Sequence, residues 1–104
     1  MSAGVESARH QWEDGRRRVA AVARDDPRAH RRLLEQIDVL TDELRRRVGL
    51  TFDLDELSRV YGDAERWTYD ALAESGVPVR PGEEATAQDA AFGLYARGAR
   101  DYVP

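Results

Sequence analysis

Between Asp26-Pro27 and Gly49 an aliphatic side chain recurs every third or fourth position: Leu33, Ile37, Leu40, Leu44 and Val48, with Ala29 and Leu34 beside them. That spacing gathers all five on one side of an α-helix, whereas a strand would scatter them over both faces. Asp26 is a natural N-cap. Pro27 suits the first helical position, where its missing N–H would have no partner anyway. At the other end Arg45, Arg46 and Arg47 face the negative pole of the helix dipole, and Gly49 relieves a left-handed cap. The sequence therefore predicts a helix over 27–48.

The rest of the chain follows the same period. Val5, Ala8, Trp12, Gly15, Val19 and Val22 form the seam of a helix over 5–24. Asp53 with Glu56 reads as a capping box, and Phe52 with Leu57 as a hydrophobic staple. They open a short helix that should bury Leu54, Leu57, Val60 and Tyr61 and stop at Gly62. Asp63 then caps a helix over 64–75 with Ala64, Trp67, Ala71 and Leu72 inward, stopped by Gly76. Residues 76–85 hold two prolines and Pro81-Gly82, which read as a loop. Thr86 and Asp89 suggest another capping box for a helix over 87–100, with Ala91, Leu94, Tyr95 and Gly98 on one face.

No useful strand-like alternation, internal repeat or low-complexity segment is present. The expected fold is all-α, a small helical bundle in one domain over residues 1–104. A long antiparallel hairpin, 5–24 and 27–48, is covered by two or three shorter helices. Residues 1–4 and the loop 76–85 are the expected flexible parts.

Composition narrows the function classes. The chain has no Cys, so a disulfide scaffold, a Cys-ligated zinc site and a thiol enzyme are excluded. The longest uncharged run, 90–96, is far short of the roughly 20 residues needed to span a bilayer. No cationic start followed by an apolar core marks a signal peptide, and the expectation is a cytoplasmic protein without membrane contact. All 16 basic residues are Arg, against 20 acids, for a net charge of −4. Arg-only usage has two readings, GC-rich codon bias or selection for forked donors that grip carboxylate and phosphate.

The net charge hides a polarity. Residues 1–50 balance at +2 and residues 51–104 at −6. In the expected hairpin, Arg16, Arg17, Arg18, Arg24, Arg28, Arg31 and Arg32 gather at the turn end, with helix pairs such as Arg31–Glu35 neutralising part of the charge. Such a tip could dock an acidic protein surface or a phosphate backbone. Net acidity disfavours nucleic acid. The outline of a helix-turn-helix over 54–74 meets the same objection, because its second helix offers Glu65, Asp70 and Glu74 against Arg66.

Sites of chemistry are sparse. His10 and His30 lack a partner His at helical spacing, and no nucleophile elbow, phosphate loop or calcium loop is present. The expectation is a non-enzymatic protein with no catalytic residues, cofactor or metal. The segment 92–102 interleaves Phe92, Tyr95 and Tyr102 with Arg97 and Arg100, types enriched at interface hot spots. The seam of the 5–24 helix exceeds the cover that short helices supply, which suggests a homodimer. The sequence thus reads as a regulatory or adaptor-like interaction protein. Its expected contact residues are Arg16, Arg17, Arg24, Arg28, Arg31, Arg32, Phe92, Tyr95, Arg97, Arg100 and Tyr102. The alternatives are a nucleic-acid-associated factor using the same tip and a small ligand-binding bundle.

Overall fold

The computed structural model of the chain describes residues 21 and 25–98, with side chains up to residue 96. The described residues form three helices: α1 Pro27–Val48, α2 Leu54–Ser75 and α3 Glu83–Gly98. Each packs against the other two, and no strand occurs among the described residues. The fold is a small all-α bundle. Apart from residue 21, the 5–24 arm of the expected hairpin lies outside the described residues.

α1 forms as its sequence dictates. Asp26 Oδ1 accepts from the backbone N–H groups of Arg28 (3.1 Å) and Ala29 (3.2 Å). Gly49, at φ +83°, donates its N–H to the Arg45 carbonyl at 3.0 Å. Leu33, Ile37, Leu40 and Leu44 are buried, and Val48 packs at the edge.

α2 departs from the expected pair of helices. It runs without a break through Gly62-Asp63 as one helix of 22 residues. A mid-helix Gly costs about 1 kcal/mol relative to Ala. Leu57, Ala64, Trp67, Thr68, Ala71 and Leu72 bury a single stripe along the whole length, and that packing outweighs the local penalty. Asp63 is therefore no cap and instead pairs with Arg66 at 2.5 Å. The helix-turn-helix outline disappears with the break. The entry to α2 matches expectation: Asp53 Oδ1 accepts from Glu56 N at 2.7 Å, and Phe52 and Leu57 are both buried. Leu54 and Tyr61, expected inside, are 63% and 43% exposed, because they fall on the solvent side of the straight helix.

A Schellman closure ends α2. Gly76, at φ +80°, donates to Ala73 O at 3.1 Å, and Val77 donates to Leu72 O at 3.2 Å. The connection is pinned to α1, where buried Gln36 donates Nε2–H to Pro78 O at 2.8 Å. Pro81 and Gly82 then form a turn closed by Glu83 N to Arg80 O at 3.1 Å, with Gly82 at φ +90°. α3 starts directly after it, four residues earlier than expected. Thr86 lies inside the helix rather than at its cap, and Glu83 and Glu84 supply the first-turn acids that favour the dipole.

α3 is the buried centre. Ala87, Ala90 and Ala91 let neighbouring helices approach, and Phe92, Leu94 and Tyr95 fill the space between them. Tyr95 stacks on Phe52 (centroids 5.1 Å apart), and Phe92 meets Tyr61 edge-on at 4.8 Å. Arg32 and Leu33 lie near the start of α3, whereas Tyr69 lies beside Glu84 and Tyr61 beside Asp89. α1 and α3 therefore run the same way, and α2 returns between them.

Candidate functional site

The N-terminal end of α1 and the connection before α3 form one pole of the molecule. Arg28 and Arg31 stand exposed on the first two turns of α1, and no acid occupies its first turn. The expected Arg31–Glu35 pair is not among the ion pairs of the described residues. Arg80, carried by the Pro78–Pro81 stretch, comes alongside. It shares with Asp26, Ala29, Leu33 and Pro81 the wall of a shallow groove of about 320 Å³. Asp26 is the anionic counterweight. The backbone hydrogen bond from Ala29 holds its carboxyl below the usual value, helped by that from Arg28 and by the charges of Arg32 and Arg80.

Arg32, expected at the docking tip, is committed internally. Its Nε donates to both carboxylate oxygens of Glu83 at 3.3 Å, with both side chains largely covered. It ties the start of α1 to the start of α3 and is a structural strap. Arg16, Arg17, Arg18 and Arg24 lie outside the described residues, as do Arg100, Tyr102 and the side chain of Arg97.

Phe92 and Tyr95 correct the reading of the 92–102 segment. Both are core side chains, and Tyr95 is fully buried. Burial pushes its hydroxyl pKa up, against the opposing charge of Arg45. Their density reflects a small domain using large rings to build an interior.

At the opposite end of α1 the arginines are paired within the helix, three cations on two carboxylates. Arg45 pairs with Asp42 at 2.8 Å, and Glu43, itself buried, holds both Arg46 and Arg47, the latter at 2.6 Å. The Arg47 guanidinium also lies 4.7 Å from the ring centroid of Trp67.

A second concavity lies between α2 and α3. It has a volume of about 420 Å³ and a rim formed by Tyr61, Tyr69, Glu65, Glu84 and Asp89. The Tyr61 hydroxyl donates to Asp89, which raises the tyrosine pKa. The hydrogen bond between Tyr69 and Glu84 raises the tyrosine and lowers the carboxyl. Sequence reasoning missed this cleft because it broke the helix at Gly62. Tyr61, Glu65 and Tyr69 recur at steps of four on an unbroken helix, and that was the available signal.

Among the described residues no three His, Cys, Asp or Glu side chains are grouped to hold a metal ion, and no helix is long and apolar enough to cross a membrane. The described residues define a small all-α helical bundle with a basic pole and an acidic cleft. Compared with protein-family models, curated proteins and solved structures, the chain matches none.

Proposed function

We propose that this chain is a cytoplasmic, non-enzymatic interaction protein of regulatory or adaptor type, which docks an acidic surface of a protein partner at the pole formed by Arg28, Arg31 and Arg80. What supports the reading is the placement of Arg28 and Arg31. They sit where the helix dipole is positive, and a cation there costs roughly 0.3–1 kcal/mol at low salt. No carboxylate of the described residues forms an ion pair with either one, although Arg45, Arg46, Arg47 and Arg66 are all paired with carboxylates of their own helices. Cations kept against the dipole, with their forks open to solvent, suit recognition of carboxylates. Self-association of the chain belongs to the same reading.

The test is capture from native cytosol with the wild-type chain and with the triple variant Arg28→Glu, Arg31→Glu, Arg80→Glu, before and after nuclease treatment. The expected result is a nuclease-resistant protein whose affinity falls at least tenfold in the variant, a loss of about 1.4 kcal/mol. Equal affinity overturns the assignment of the pole. Nuclease-sensitive capture transfers the reading to a nucleic-acid-associated factor. Light scattering that gives only the monomer mass at high concentration removes self-association.

A further inference from the structure

We infer that the groove at the basic pole seats an aliphatic side chain of the protein partner, and that the pole therefore recognises an acidic residue with an aliphatic neighbour. The inference rests on the docking reading above and names the chemistry of the segment that fills the site.

Charge alone is a weak anchor. An exposed ion pair gains little, because water and salt screen it and two long side chains must be ordered to form it. A partner held at Arg28, Arg31 and Arg80 needs apolar burial beside them, as interfaces combine an apolar anchor with a polar rim. The groove supplies that burial. It holds about 320 Å³ between the first turns of α1 and the turn before α3, and Ala29, Leu33 and Pro81 form its apolar wall.

The other polar groups of the lining are mostly engaged. Asp26 accepts from the backbone N–H groups of Arg28 and Ala29, and Glu83 accepts from Arg32 with both carboxylate oxygens. Arg80 is different. It is exposed, and no carboxylate of the described residues forms an ion pair with it. A visitor thus meets an apolar wall with an open guanidinium beside it. A side chain of leucine size fits the wall, and a carboxylate on the adjoining residue reaches the Arg80 fork. A phosphate backbone offers the charge without the aliphatic group and leaves the groove unfilled.

The groove is formed before any ligand arrives. Gln36 holds the Pro78 carbonyl at 2.8 Å, and the turn after it closes through Glu83 N to Arg80 O at 3.1 Å. Arg32 and Glu83 tie the two sides together at 3.3 Å. Little ordering is left to oppose binding.

The experiment is an NMR titration of the full chain at low salt with three capped peptides in a glycine-serine background. One carries Glu-Leu-Glu, one Glu-Ser-Glu and one Gln-Leu-Gln. The expected result is saturable shifts of the Ala29 and Leu33 methyl signals with Glu-Leu-Glu. The Glu-Ser-Glu peptide should bind about fivefold more weakly, the scale of half-burying one aliphatic side chain. Arg80→Gln, at an exposed position, should reduce Glu-Leu-Glu binding to the level of Gln-Leu-Gln while circular dichroism stays unchanged. Equal affinity for Glu-Leu-Glu and Glu-Ser-Glu overturns the aliphatic site and leaves the basic pole standing. Binding unaffected by Arg80→Gln also overturns it. Failure of every peptide to move the methyl signals overturns it as well, and capture from cytosol with the triple variant then decides the pole separately.

Discussion

At the C-terminal end of α1, Arg45, Arg46 and Arg47 face carboxylates of their own helix, and Arg47 rests on Trp67. At the N-terminal end, Arg28 and Arg31 face solvent, and among the described arginines there Arg32 is matched, by Glu83 of another helix. The residue type is the same at both ends, and so is the helix. The dipole favours the first set and opposes the second. The contrast separates cations that complete a fold from cations that the fold tolerates. The proposed docking role rests on the second set, for a reason independent of counting charges.

The largest expected effect lies at the end where the arginines are paired. Trp67→Ala removes a buried ring that carries Arg47 on one side and adjoins Phe92, at a centroid distance of 6.4 Å, on the other. A loss of about 3–5 kcal/mol in chemical denaturation is expected. A loss near zero would mean that this end is not built into the core. Next, Arg47→Glu sets a like charge beside Glu43 and gives up the ring contact and the favourable dipole interaction together. Stability should fall by about 1–2 kcal/mol. Its mirror, Arg28→Glu, should do the opposite and raise the melting temperature by about 1–4 °C. If both substitutions shift stability in the same direction, the contrast between the ends is broken.

The smallest effect is a titration. The folded-state pKa of Asp26 is depressed, so its capping contribution is fully present above the ordinary value of 3.8 and is lost as pH falls through the depressed value. The Arg28 and Ala29 amide signals should therefore move with a midpoint below 3.8, and Asp26→Asn should flatten that profile. A midpoint above 3.8 would show that Asp26 does not cap α1.

Much of this was legible in the sequence, element by element. The limits of α1 were readable because Asp26-Pro27 and Gly49 each have one dominant local conformation and the stripe between them has one period. The staple of Phe52 and Leu57 was readable for the same reason. Gly62 misled because its penalty is local, whereas the stripe that overrides it extends to Leu72 and is realised only in the tertiary fold. The early start of α3 was hidden because Pro81-Gly82 specifies a turn and leaves the next element open. The site divides likewise. Exposure of Arg28 and Arg31 was readable from the pattern. The capture of Arg32 by Glu83 and the arrival of Arg80 depend on contacts about fifty residues apart in the chain, and no local rule encodes them. Phe92 and Tyr95 looked like contact residues because aromatic density reads the same in a core and in an interface.

The unbroken course of α2 through Gly62 has a metric consequence. Positions on either side of that glycine belong to one rod, so Tyr61 and Tyr69 are separated by eight helical rises, about 12 Å along the axis. A helix broken at Gly62 would let that interval vary with the hinge. The interval between the two rings along the cleft is thus set by the helix itself and not by a hinge.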